Sequence, residues 1–430
     1  MERYKEYVDS GVQWIGEIPS HWEQRRVRYT GKSRNGLTYS PYDVSEDGQG
    51  ILVLRSSNIQ DGKLLLDDNV YVKKDISPDL MVKKGDILIC SRNGSRDLVG
   101  KLTMIDRDLK ASFGAFMMIY RTNMWAPFME KVLSVAIQSY KTLFSTSTIN
   151  QLTNDIFKDF VIPLPPLSEQ KQIVRYLEDK TSKIDAYVSE KEKEILLLQE
   201  LKQKTIADAV TKGLNPDVKT KDSGISWIGE IPEHWEVKQL RSFLTLFTEK
   251  GHGDAQLLSV TREQGVIERD KDDKDENHNF VPDDLSGYKY IEKGDFAINK
   301  MKAWQGSYAV SNYDGIVSPA YFTCKLKGVN KDFFSKAIRS RAYVPFFTQY
   351  SKGIRVGQWD LNPNALKSIP FFLPPADEQR AIVSYIEEKC QKIDSLTTEL
   401  QSEIDYLKEY KQRLIADCVT GQVNVQKEVT

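Results

Sequence analysis

The side chains best suited to recognition chemistry stand in three short polar strings: Arg55-Ser56-Ser57-Asn58, Ser91-Arg92-Asn93-Gly94-Ser95-Arg96, and Asn299-Lys300-Met301-Lys302-Ala303-Trp304-Gln305-Gly306. Arginine pairs bidentately with the guanine edge and asparagine or glutamine with adenine, while serine and glycine let a backbone approach a phosphate. These types fit nucleic-acid contact. The candidates are Arg55, Ser57, Asn58, Ser91, Arg92, Asn93, Ser95 and Arg96 in the first half of the chain, and Lys300, Lys302, Trp304 and Gln305 in the second. Two further segments, Ser145 to Gln151 and Lys352 to Trp359, add Thr146, Asn150, Gln151, Lys352, Arg355 and Gln358. Against each string stands the plain reading that a loop is polar because it is exposed.

Catalytic chemistry finds fewer residues. An adenine methyltransferase needs a Gly-rich cofactor loop after a strand and an Asn-Pro-Pro-aromatic tetrapeptide. The nearest string, Asn362-Pro363-Asn364, lacks the second proline and the aromatic, and reads as a turn. No GxxxxGK[ST] phosphate loop occurs. The stretch Glu268 to Glu276 alternates acids with Arg269, Lys271 and Lys274 and lacks calcium-loop glycine spacing, so it reads as a solvated loop. His21 and His234 are equivalent members of a repeated segment and His252 and His278 stand alone, so no metal site is expected. Cys90, Cys324, Cys390 and Cys418 show no CxxC spacing, as buried thiols of a reducing compartment would. No run of 18 apolar residues and a charged start predict neither a membrane span nor a secretory signal, with the cytoplasm as the default location.

The chain of 430 residues carries 60 Lys and Arg against 61 Asp and Glu, a formal net charge of -1, which argues against a uniformly basic coat. Local charge differs. From Gln24 to Tyr42 there are Arg25, Arg26, Arg28, Lys32 and Arg34 with no acid, and from Leu285 to Lys367 there are 13 Lys and Arg against 5 acids. Such stretches can supply the phosphate attraction that positions a protein on DNA.

The elements that must hold these strings come in duplicate. Asp9 to Trp22, DSGVQWIGEIPSHW, returns as Asp222 to Trp235, DSGISWIGEIPEHW; Lys84-Gly85-Asp86 returns as Lys293-Gly294-Asp295; and Pro165-Pro166-Leu167-Ser168-Glu169-Gln170 returns as Pro374-Pro375-Ala376-Asp377-Glu378-Gln379. The Trp-containing segment has two readings: an internal brace that docks each domain onto a helix, which is favoured, or a partner surface built on Trp14, Trp22, Trp227 and Trp235. After each Pro pair a long helix is predicted, with Ser168 and Asp377 as N-cap candidates. In the second helix Ile386, Ile393, Leu400, Leu407 and Leu414 recur every seventh residue, and in the first Leu177, Ile184, Lys191, Leu198 and Thr205 hold the same register. Neither helix can bury its stripe alone, so antiparallel pairing with a globular domain at each end is expected. Strands are predicted at Gly50 to Leu54, Asp86 to Cys90, Phe113 to Tyr120, Phe296 to Asn299 and Ala320 to Leu326, and short helices at Pro127 to Tyr140 and Asn330 to Tyr343.

On these residues the chain resembles the specificity subunit of type I restriction-modification systems. The likeness spans nearly the full length and rests on the doubled WIGEIPxHW segment, LRSSNIQDGKL and KKGDILI in the first half, NKMKAWQG and GIVSPAY in the second, and the helix entries PLPPLSEQKQIV and LPPADEQRAIV. It implies an α+β protein with two mixed α/β target recognition domains, residues 1–166 and 213–375, joined by two long antiparallel coiled-coil helices, residues 167–212 and 376–430 with the tail, in a pseudo-twofold duplication. It also implies a non-catalytic subunit that reads a bipartite double-stranded DNA target and docks two modification subunits. Those subunits carry S-adenosylmethionine, and added restriction subunits use ATP and Mg. No cofactor is implied on this chain. Leu177, Lys191, Leu198, Ile386, Leu400 and Leu407 are the expected partner-facing positions. Two other classes remain open at this point: a stand-alone modification or nuclease polypeptide, and a coiled-coil scaffold without DNA.

Overall fold

A computed structural model describes residues 2–141, 150–270, 282–353 and 359–427. The chain forms two compact units, one from Met1–Glu190 and Ser402–Thr430, the other from Lys191–Gln401. The helices are α1 (Ala126–Ser139), α2 (Asn154–Lys158), α3 (Leu167–Lys212), α4 (Lys331–Arg339), α5 (Val344–Tyr350), α6 (Pro363–Ser368) and α7 (Ala376–Val419). Both α3 and α7 contribute one segment to each unit. Among the described residues no helix is long and apolar enough to cross a membrane.

The first unit is built on a four-stranded antiparallel sheet ordered Leu102–Met104, Ile87–Cys90, Met117–Thr122, Gly31–Asn35. In the central strand Ile87 and Ile89 face the α1 core with Phe128, Val132 and Ile137, while Leu88 and Cys90 face Leu52, Leu54 and Phe113. A strand covered on both faces has no polar face to alternate with, which is why it reads as a continuous apolar run. The second layer is a three-stranded sheet in which Ala111–Phe113 pairs parallel to Ile51–Leu54.

The second unit repeats this plan. Its sheet is ordered Tyr308–Val310, Phe296–Ile298, Phe322–Leu326, Leu244–Phe247, the same sequence of connections. Phe296 and Ile298 pack toward Phe333, Phe334 and Ala337 of α4, and Ala297 packs toward Val260 and Val317. The duplication therefore extends into regions where the two halves share little sequence. The helix predicted from Asn330 to Tyr343 ends earlier, at Arg339: Asn330 caps α4, Ser340, extended at φ -65° and ψ 153°, stops it, and a separate helix, α5, follows from Val344. Asn362 likewise starts α6 by accepting from the Ala365 amide at 2.8 Å, so the Asn-Pro-Asn string is a helix entry rather than a simple turn.

The repeated Lys-Gly-Asp strings are structural turns. Asp86 Oδ2 accepts from the Lys83 amide at 2.8 Å and from Arg121 Nη2 at 2.6 Å; Asp295 Oδ2 accepts from the Glu292 amide at 2.9 Å and from Lys325 Nζ at 2.8 Å. Both carboxylates are buried, and each depends on a basic partner from the neighbouring strand. Gly85 and Gly294 supply the φ near +90° that these turns require.

The Trp-containing segments brace the long helices. Helix α3 begins at Leu167 and α7 at Ala376, one residue before the predicted caps, because the Pro166 and Pro375 carbonyls accept the first helical bonds, from Gln170 and Gln379. The acids of these first turns reach out of the helix. Glu169 accepts from Trp22 Nε1 at 3.0 Å and Tyr4 OH at 3.1 Å and lies 2.7 Å from His21 Nε2. Glu378 accepts from Trp235 Nε1 at 3.1 Å and lies 2.8 Å from His234 Nε2. Burial, then the Glu169 charge, push the Tyr4 phenol above its ordinary value, so it remains a donor.

Each brace also receives the tail of the other helix. In the second unit Gly213 follows α3 at φ +73°, and a β-carbon there would stand 2.8 Å from Glu378 Oε1 and 3.3 Å from Trp235. In the first, Gly421 follows α7 at φ +76°, where a β-carbon would collide with Pro19, and its carbonyl accepts from Tyr7 OH at 2.7 Å. Within each unit the head of one helix thus lies beside the tail of the other. Asp185 pairs with Lys411 in the first unit, and Lys202 with Asp394, at 2.6 Å, in the second.

The Glu169 carboxylate side chain is 7 % exposed against 25 % for Glu378, and it has the additional Tyr4 donor. Glu169→Ala should therefore cost about 3 kcal/mol and Glu378→Ala about 1 to 2 kcal/mol. Equilibrium urea unfolding of the two variants checks the order.

Candidate nucleic-acid interface

In each unit the loops with recognition chemistry emerge from the same end of the sheet. The first unit's loop follows Ile87–Cys90 and the second unit's follows Phe296–Ile298, and each leads to an edge strand. Each is joined to the segment before a short helix: the Leu152 amide donates to the Ser91 carbonyl at 2.8 Å, and the Leu361 amide to the Lys300 carbonyl at 3.1 Å.

The first unit brings three predicted segments together. Asn93 Nδ2 donates to Ser56 Oγ at 3.4 Å, Arg92 bridges to Gln151, and Asn150 Nδ2 reaches the Gly94 carbonyl at 3.5 Å. Arg92, Ser95 and Arg96 are exposed. Others are engaged internally. Asn58 is fully buried: its oxygen accepts from the Arg55 amide and its nitrogen donates to the Leu65 and Asp68 carbonyls, so the amide holds its own loop. Ser91 is buried and donates to the Phe116 carbonyl. Arg55 is paired with Asp68 at 2.8 Å, and the Ser57 hydroxyl is buried without a partner. Thr146 lies outside the described residues.

In the second unit Lys302, Gln305 and Lys352 are exposed, while Lys300 meets Asp360 at 3.1 Å. Trp304 packs against Trp359 with ring centroids 5.0 Å apart, and its indole nitrogen is buried without a partner. Arg355 and Gln358 lie outside the described residues. Lys289, at the same end of this sheet, was not singled out by its sequence context. It donates to the Tyr321 carbonyl at 2.6 Å, and burial, then Lys250 and Lys300, lower its pKa.

The basic run in the first unit is mostly neutralised. Arg25 pairs with Glu23, Arg26 and Arg28 with Asp159, and Arg34 with Asp79. Counting along the chain could not find these acids, because folding brings two of the three from more than a hundred or several tens of residues away. The thiols Cys90 and Cys324 are buried within the sheets, and burial pushes Cys324 up to about 12, so both are inert. Among the described residues no group of His, Cys, Asp or Glu is arranged to hold a metal ion.

The expected partner-facing positions lie largely inside. Leu177 and Ile386 belong to the cores of their units, Leu400 is buried, Leu198 and Leu407 are half-buried, and Lys191 lies 3.9 Å from Glu194. The seven-residue stripe is an interior seam. Leu167 and Leu196 are exposed on α3, and the other exposed large apolar side chains of α3 and α7 also lie off the stripe: Tyr187, Tyr406 and Tyr410 in the first unit, and Leu396, Leu197 and Leu201 in the second. These match pairwise in the repeat. Comparing identical residues missed them because tyrosine stands opposite leucine in each pair.

A family model described as the type I restriction modification DNA specificity domain matches residues 19–197. The chain is similar to the type I restriction enzyme EcoKI specificity subunit of Escherichia coli, 24% identical with 96% of this chain and 91% of that one covered. It is 23% identical to the StySPI specificity subunit of Salmonella potsdam, over 96% and 91% of the two chains. Among solved structures, a chain from work on complex assembly and conformational transition of the type I R-M system has the same fold, with TM-score 0.65 and 15% identity over 94% of this chain and 99% of that one.

Exposed cations without acid partners should carry the salt dependence of DNA affinity. Lys302→Ala and Lys352→Ala should each reduce the slope of log affinity against log salt by about 0.9, whereas Arg26→Ala and Arg28→Ala should leave it nearly unchanged. Titrations of DNA binding at several salt concentrations measure both.

Proposed function

We propose that this chain, which belongs to the specificity subunits of type I restriction-modification systems, reads a bipartite double-stranded DNA target, one half with each unit, and carries two modification subunits on α3 and α7. Specificity subunits recognise DNA and are not themselves the catalyst. The observation that best supports the reading is the paired placement of the loops: the same end of the same sheet, twice, bearing Arg92, Asn93, Ser95 and Arg96 in one unit and Lys302, Trp304 and Gln305 in the other. Equivalent placement suits two readers on one frame. Different side chains suit two different half-sites.

In this reading the guanidinium and amide groups take base edges, and lysines such as Lys302 and Lys352 take phosphates. Methyl transfer from S-adenosylmethionine belongs to the modification subunits, and ATP with Mg to restriction subunits added for cleavage. The site of work is the cytoplasm, where the DNA and these partners meet.

Partner docking is assigned to the two equivalent exposed patches, Tyr187, Tyr406 and Tyr410 on one unit and Leu396, Leu197 and Leu201 on the other. Tyr406 and Tyr410, like Leu197 and Leu201, are four residues apart and so share a helix face. Two like surfaces, one on each unit, would accept two copies of one partner. Leu197→Asp combined with Leu201→Asp should reduce the bound modification subunits from two to one. Native mass spectrometry of the assembled complex reads this directly, and two retained copies would remove the patch from the interface.

A further inference from the structure

We infer that Phe116 is a specificity-determining residue of the first unit that contacts the 5-methyl group of a thymine, beside a base or phosphate taken by Arg92. The inference rests on the DNA-reading function proposed above and names one base and one side chain within it. Phe116 stands at the tip of the turn between Ala111–Phe113 and Met117–Thr122, and it is 60% exposed. The backbone of this turn is anchored. Its carbonyl accepts from the Ser91 amide at 2.9 Å, the Arg92 amide at 3.1 Å and the Ser91 hydroxyl at 3.0 Å, which ties the turn to the loop that carries Arg92 and Arg96.

The Arg92 guanidinium lies over the phenyl ring, 5.3 Å from its centroid. A cation and an apolar ring held at that separation span between one and two base steps of about 3.4 Å. Of the groups displayed in the major groove, the thymine methyl is the apolar one, and a phenyl ring suits it.

Strand register shows that this side chain differs between the units. Met118 pairs with Ile89 in the first sheet, and Phe322 pairs with Ile298 at the equivalent place in the second. Counting back two residues places Ala320 where the first unit has Phe116, and Ala320 is exposed. By this count the large apolar side chain belongs to the first unit alone.

The test uses the complex with its modification subunits and duplexes in which each thymine of the target is replaced in turn by deoxyuridine, which lacks the methyl group. One such replacement should weaken binding by the wild-type chain about fourfold, the worth of one buried methyl group. Phe116→Ala should bind the thymine and deoxyuridine duplexes alike, and Phe116→Leu should keep most of the difference. The inference is overturned if Phe116→Ala leaves every thymine preference intact, or weakens both duplexes equally as a wedge between bases would. If the complex prefers no sequence at all, the DNA-reading function itself fails, which is a distinguishable result.

Discussion

The rest of the structure depends on a carboxylate in the first turn of each long helix. Glu169 and Glu378 do not cap their own backbone; each binds the indole and lies within hydrogen-bond distance of the imidazole of the repeated Trp-containing segment of its unit. A helix head attracts negative charge in any case, so the acid sits where the exposed amides favour it while its oxygens hold the tryptophan. The tail of the other helix closes on the same place, through Gly421 in one unit and Gly213 in the other. One acid therefore couples a domain's start, one helix's head and the other helix's tail. Its repetition, with the same residue types, explains why WIGEIPxHW and PPxxEQ are the best preserved marks of the duplication.

From that anchor the sheets are placed alike. A central strand covered on both faces, begun by a buried-acid turn and paired in the same order, delivers its loop to the same end in each unit. The apolar frame demands similar residue types in both halves, while the loops at its end are free to differ. The loop with Arg92 and Arg96 in one unit and the loop with Lys302 and Gln305 in the other leave the same end of the sheet with different chemistry. Separating a fixed frame from variable tips is what a protein with two different half-sites needs.

Much of the frame was legible in sequence because it is written in local or periodic signals. The Pro pair with its acid, the seven-residue stripe and the repeated Trp segment marked the helices and the brace. The site was less legible, and for physical reasons. Asn58 and Ser91 have the residue types of base readers, but their polar atoms are engaged internally, Asn58 by its own loop and Ser91 by the Phe116 turn. The arginines from Arg25 to Arg34 form a basic run only along the chain, since Asp159 and Asp79 arrive by folding. The apolar stripe on α3 and α7 identified what the helices bury, whereas apolar residues off the stripe, such as Leu197 and Tyr406, stay exposed. Phe116 carried no signal, because Phe113 to Tyr120 reads as one strand, whereas a turn after Phe113 divides it and leaves Phe116 exposed.

The central claim is that two equivalent surfaces each read one half of a DNA target. Sequencing that maps methylated adenines in cells carrying the full system tests it most directly, comparing the wild-type chain with an Arg92→Ala, Arg96→Ala variant and a Lys302→Ala, Gln305→Ala variant. The account predicts two specified blocks separated by an unspecified gap, with the first variant relaxing one block and the second variant the other. A single contiguous target, or relaxation of both blocks by either variant, would contradict it.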